Sequence, residues 1–268
     1  PPKPAEGGFQ GTLVLGLGCL HLDERSTSLF PMLLKRDADS RHLFSEETED
    51  VYPNLSDHAT EYLAQLKGAP EQLFLHCLAV LFSAKYISQN SYSLRQNWPR
   101  IPLPGTKKAL CKSAKLGQQV AALLDAEKGV DGVTCGEIAV ALKDIAVISK
   151  IGGGELDPDK GHLDVTAGWG HAGKGGVCMP GKGRYEVAEQ RRAALKDAFG
   201  AETLDVYLND VAYWSDIPKC VWEYYIGGYQ VIKKWLSYRE KAMLGRGLRI
   251  EEAEYVTEMA RRIAALIL

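Results

Sequence analysis

Two glycine-bearing segments have residue types and spacings that could do chemistry. Leu13 to Cys19, LVLGLGC, sets two glycines after an apolar run. A loop of that kind can close on a nucleotide or on S-adenosylmethionine. It needs a helix directly behind it and an acidic residue at the end of the next strand to hold the ribose. Leu20-His-Leu-Asp-Glu24 follows instead, and no strand-helix-strand unit is visible, so the segment reads as a glycine-bearing strand. Gly168 to Gly175, GWGHAGKG, comes close to a phosphate-binding loop. That loop requires Ser or Thr after its Lys to hold Mg²⁺, and Gly175 stands there. A stretch this rich in glycine, with Lys174, Lys182 and Arg184, can still lie close against a phosphate backbone. The competing reading is a plain surface loop.

Other chemistries lack their residues. The six histidines show no HxH or HExxH spacing, and the six cysteines contain no CxxC pair. A metal site is not expected, and the cysteines read as reduced thiols of a cytosolic protein. There is no serine nucleophile elbow. There is also no Asn-Pro-Pro-aromatic motif for methylating an exocyclic amine. No catalytic constellation emerges, and the chain reads as a binding module.

The charge pattern says what it could bind. The net charge is −2, yet the charges are segregated. Residues 46–50, EETED, are acidic; from Gln72 to Leu124 there is no Asp or Glu, while Lys85, Arg95, Arg100, Lys107, Lys108, Lys112 and Lys115 fall there. From Lys219 to Arg249, seven basic residues face only Glu223 and Glu240. Such segregation puts positive surfaces on a neutral protein, and anionic polymers bind them. Ordinary solvated faces are the alternative.

The elements that position these residues follow from periodicity and caps. Residues 11–22 read as a strand or hairpin, and Ser28 to Lys35 as an edge strand containing Pro31. Arg36 to Asn54 is polar and reads as a loop. A helix starts at Ser56 or Asp57 and runs to about Lys67; a second spans Glu71 to Tyr86. Arg100-Ile-Pro-Leu-Pro104 must be extended, because a residue before proline is pushed out of the α region. Thr106 caps a helix to Ala126 in which Lys108, Lys112 and Lys115 share one face. That face is expected to be exposed and to lie along the phosphates or other charges of an anionic polymer. After Gly129 short β pieces alternate with glycines. A helix is expected over Tyr185 to Phe199 and strands over Leu204 to Trp214 and Val221 to Ile226. Gly227-Gly228 then leads into a helix from Tyr229 to Lys241, and Ile250 to Leu268 is a last helix. Free N–H groups at the Gly-Gly helix start suit a phosphate oxygen, which makes Gly228, Gln230, Lys233 and Lys234 a candidate anchor. The alternative is that Gly-Gly only makes the turn.

The fold class is therefore α+β: glycine-rich β parts, a helical insert over about 57–126, and a C-terminal strand-helix-helix segment. Three parts are expected, 1–56, 57–128 and 129–268. The length of 268 residues admits one large domain or two ordinary ones. With 46% hydrophobic and 25% charged residues, wholesale disorder is excluded. No apolar run is long enough for a membrane span, and no signal pattern is visible. The chain starts at Pro1 without Met, and reads as a fragment or processed form.

Several segments together resemble one family. They are Ser28 to Leu34, SLFPMLL; Pro53-Asn-Leu-Ser56; and Glu71 to Tyr86, EQLFLHCLAVLFSAKY, leading to Trp98-Pro-Arg-Ile-Pro-Leu-Pro104. The last is Val221 to Arg239, VWEYYIGGYQVIKKWLSYR. They resemble the C-terminal target-recognition region of type ISP restriction-modification enzymes and related adenine-N6 DNA methyltransferases. The resemblance runs from about Thr12 to Leu268, apart from 129–184. It implies that the chain reads a short duplex sequence for a methyltransferase core, in the same polypeptide or a partner chain. That core would bind S-adenosylmethionine and flip out the adenine; the chain itself would hold no cofactor and neither methylate nor cut. The expected setting is cytoplasmic phage defence. Lys108, Lys112, Lys115, Lys174, Lys182, Arg184, Gly228, Gln230, Lys233 and Lys234 are the expected DNA contacts. Two other readings remain: a scaffolding module that docks an acidic partner, and a nucleotide-dependent enzyme using Gly168–Gly175.

Overall fold

A computed structural model of the chain describes residues 31–35, 51–190, 192–226 and 229–268. They fall into two compact units, one up to Asp125 and one from Ala126 onward. The glycine segment at Leu13–Cys19 and the acidic run at 46–50 lie outside the described residues.

The first unit is mainly helical. The apolar stretch expected as an edge strand pairs over its last residues: β1 (Leu33–Lys35) is antiparallel to β2 (Val51–Pro53). Helix α1 (Asp57–Leu66) is capped by Ser56, whose hydroxyl accepts the Ala59 N–H at 3.3 Å. The helix expected over 71–86 is broken into α2 (Pro70–Leu81) and α3 (Ala84–Leu94). Ser83 causes the break: extended in backbone, it turns its hydroxyl onto the Tyr86 N–H and starts a new helix. Helix α4 (Lys107–Leu124) begins where Thr106 accepts the Ala109 N–H at 3.2 Å.

Leu63, Leu73 and Leu110 form the core of this unit. Helices α2 and α4 meet so closely that a Cβ on Gly117 would lie 1.8 Å from the Leu75 carbonyl oxygen. The proline segment is held against the helices through alternate carbonyls. Tyr86 Oη donates to Arg100 O at 2.9 Å, His76 Nε2 to Pro102 O at 2.9 Å, and Tyr62 Oη to Pro104 O at 2.8 Å. Prolines cannot donate to a sheet, so side chains satisfy these carbonyls. His76 is buried, and its Nδ1 meets Ser113 Oγ at 2.8 Å.

The second unit is built on a four-stranded antiparallel sheet in the order β3-β8-β7-β6. Its members are β3 (Val147–Lys150), β6 (Tyr185–Glu189), β7 (Glu202–Tyr207) and β8 (Ala212–Pro218). A separate ribbon pairs β4 (Gly170–Ala172) with β5 (Cys178–Pro180). Here the expected helix over 185–199 is corrected. Its first part is strand β6, with Val187 opposite Leu204, and only α5 (Ala193–Phe199) is helical. Pairing with β7 overrides local helix propensity. Asn209 turns β7 into β8 by accepting the Val211 and Ala212 N–H groups.

The expected strand over 221–226 is also corrected. Pro218 leads into a helical turn, α6 (Lys219–Trp222), which drives Val221 and Trp222 into the core; strand β9 is only Tyr225–Ile226. Tyr229–Gln230 forms β10, paired with β9, so the next helix, α7, spans Val231–Ser237 rather than starting at Tyr229. A single turn, α8 (Lys241–Leu244), precedes α9 (Ile250–Ile267). The core gathers Trp169, Val206, Trp214 and Ile217 with Ile232, Leu236, Val256 and Ala260. Trp214 Nε1 donates to Ala253 O at 3.1 Å, and Thr257 Oγ1 to Ala146 O at 2.5 Å, tying α9 down. No described helix is long and apolar enough to cross a membrane.

Candidate nucleic-acid interface

Helix α4 carries the expected lysine face. Lys108, Lys112 and Lys115 are exposed, while Leu110, Ala114 and Gly117 are buried on the other side. Among the described residues none of the three ammonium groups has an acidic partner within ion-pair distance. Lys107 and Lys108 also stand in the first turn, at the positive end of the helix dipole, where a cation is disfavoured and an anion is favoured. The helix thus accumulates positive charge that its own structure does not neutralise.

The glycine-rich segment is a β-ribbon with a fixed foot and an open tip. At the foot, the buried Glu240 carboxylate accepts the backbone N–H of Gly168 at 3.1 Å and of Trp169 at 2.8 Å. The Trp169 indole donates to Tyr207 O at 2.7 Å. Gly170 packs directly on Ser237, where a Cβ would come within 1.9 Å of the carbonyl oxygen. Cys178 is buried and its thiol lies 3.1 Å from the same oxygen. At the tip, Gly175 and Gly176 take φ of 74° and 79°, with open space around both. Lys174 and Lys182 are exposed.

This geometry bears on the phosphate-loop reading. The N–H groups that would cradle a phosphate at Gly168 and Trp169 are already bonded to the protein's own carboxylate. Lys174 sits on a hairpin tip between two strands and not before a helix of useful length. The segment does not have the strand-loop-helix form that nucleotide binding needs.

The remaining expected residues are more engaged. Arg184 Nη1 bonds Asp210 at 2.7 Å, Nη2 lies 3.7 Å from Glu186, and the guanidinium covers the Tyr207 ring at 4.2 Å. Gln230 turns inward, its amide donating to Trp222 O at 2.6 Å. The Lys234 ammonium lies over the Tyr229 and Tyr238 rings at 4.8 and 4.5 Å. Lys233 is half-buried. Gly228 lies outside the described residues. Gln230 and Lys234 therefore serve local packing first.

Sequence reading missed three exposed side chains of the ribbon: His171, Val177 and Met179. The available signal was a pair of short β-leaning pieces flanking Gly175-Gly176, the pattern of a hairpin.

The comparisons with known proteins agree with the expected family. Residues 4–265 match the family model described as the Type ISP C-terminal specificity domain, and the chain belongs to that family. Two solved structures are similar in part. One is the cryo-EM structure of a DrdV–DNA complex, 19% identical over 81% of this chain and 19% of that one, with a TM-score of 0.44. The other is the ATP-dependent Type ISP restriction-modification enzyme LlaBIII bound to DNA. It is 16% identical over 88% of this chain and 13% of that one, with a TM-score of 0.45. The chain thus spans less than a fifth of either protein. No curated protein matches.

Proposed function

We propose that this chain recognises double-stranded DNA as the specificity part of a restriction-modification enzyme, and that its partner is an adenine-N6 methyltransferase core. The observation that carries the reading is the lysine face of α4, exposed and without acidic partners among the described residues, in a chain of the specificity-domain family. Lysines there grip phosphates, set the register of the protein on the duplex and carry no sequence information. S-adenosylmethionine belongs to the methyltransferase core, in the same polypeptide or a partner chain. In the glycine segment at 168–175, the Gly168 and Trp169 backbone donors are taken by Glu240.

The test is a duplex-binding titration over a range of salt. Each phosphate contact contributes close to one unit to the slope of log K against log salt. Changing Lys108, Lys112 and Lys115 to Glu should weaken binding to every duplex alike and reduce the slope by up to about 3. Unchanged affinity, or a loss limited to one sequence, contradicts the assignment.

A further inference from the structure

Phosphate contacts leave open which residues tell one base sequence from another. The β4–β5 ribbon has five properties that bear on this. Its foot is fixed by Glu240, Trp169, Gly170 and Cys178, so its position is set before any ligand arrives. Its inner face is defined by buried Cys178, and strand alternation turns Val177, Met179 and His171 outward. His171 and Met179 stand directly opposite each other in the ladder. Val177 and Met179 are 61% and 47% exposed, which leaves apolar side chains in water on the ribbon. From Val165 to Tyr185 there is no Asp or Glu, while Lys174, Lys182 and Arg184 lie in that stretch.

We propose that this ribbon enters the major groove and that His171, Val177 and Met179 touch base edges, with Lys174 and Lys182 on the flanking phosphates. The proposal rests on the DNA-recognition reading above. The major groove admits a two-stranded ribbon, and its base edges offer what these side chains complement. The imidazole donates to or accepts from a purine edge, and the apolar pair covers a thymine methyl group. The glycine tip lets the backbone approach the duplex without Cβ atoms in the way. A surface fixed in advance loses little freedom on binding.

The experiment uses the 268-residue chain and a pool of short duplexes with a randomised centre. Sequencing of the bound fraction gives the preferred motif, and titration against selected and scrambled duplexes gives the discrimination ratio. His171→Ala with Met179→Ala is expected to lower that ratio by about tenfold or more and to relax one or two positions of the motif. Scrambled-duplex affinity and thermal unfolding stay as in the parent. Lys174→Ala with Lys182→Ala is expected to weaken both duplexes equally. A motif and ratio left intact by the His171–Met179 variant overturn the ribbon's role while the DNA-binding reading stands. Duplex binding that selects no motif also overturns it. A chain that binds no duplex at all overturns both.

Discussion

Glu252 shows how much one carboxylate can organise. It accepts both Arg246 Nη1 and Nη2, at 2.6 and 3.0 Å, and also the Arg249 backbone N–H at 2.9 Å, at the start of α9. The Arg246 hydrogen bonds, followed by the helix-start N–H and nearby positive charge, hold its pKa down to about 2. All of these contacts favour the ionised form. The stabilisation is therefore complete above the ordinary carboxylate pKa of 4.5 and is lost as pH falls from there through about 2. The pair is partly solvated, which limits its contribution to about 1–2 kcal/mol. Glu252→Gln should cost about that much at neutral pH in denaturant titrations. It should also flatten the loss of stability between pH 5 and 2. A variant whose acid limb matches the parent contradicts the assignment.

At the scale of elements, α2 and α4 depend on the absence of one side chain. Alanine is the better helix former by about 1 kcal/mol, so Gly117→Ala would stabilise an unconstrained helix. Here its Cβ would meet the Leu75 carbonyl at 1.8 Å, a backbone atom that moves only if the helices part. Overpacking of this kind costs about 1–3 kcal/mol, so the net sign is destabilising. A melting temperature that holds or rises in the variant would show that the helices do not approach this closely. Helices α1 and α4 were largely legible in the sequence, because Ser56 and Thr106 are caps with local partners. Ser83 was not legible as a cap, since apolar spacing runs straight across it. Strand β6 was missed because its pairing partner, β7, lies beyond α5. The same division holds for the candidate site. Lys108, Lys112 and Lys115 follow from spacing along one helix. His171, Val177 and Met179 sit on strands of three residues or beside them, too short for any periodicity to register.

For the whole molecule, a net charge of −2 coexists with local concentrations of basic residues, such as the lysine face of α4. Attraction to a polyanion depends on those surfaces and not on the total. Within the described residues there is no group of His, Cys, Asp and Glu able to hold a metal ion. The proposed function gives target recognition to this chain and the chemistry to a methyltransferase core. The purified chain, supplied with duplex DNA, S-adenosylmethionine, ATP and Mg²⁺, should transfer no methyl group to adenine and cut no strand. Methylated adenine or a cleaved duplex in that assay would overturn the division of labour.

The proline segment has a consequence of its own. Tyr86, His76 and Tyr62 come from α3, α2 and α1, and they meet the carbonyls of residues 100, 102 and 104, so the segment crosses the three helices in reverse order. Successive attachment points along such a chain are about 6 Å apart, from about 3.1 Å per residue. The segment therefore works as a gauge: it sets how far apart the three helices are staked, independently of which apolar side chains fill the space between them. Lengthening it by one residue would shift every later peg by half a step and turn its carbonyl away. Insertions inside Arg100–Pro104 should consequently be far less tolerated than insertions at the turns that join the helices.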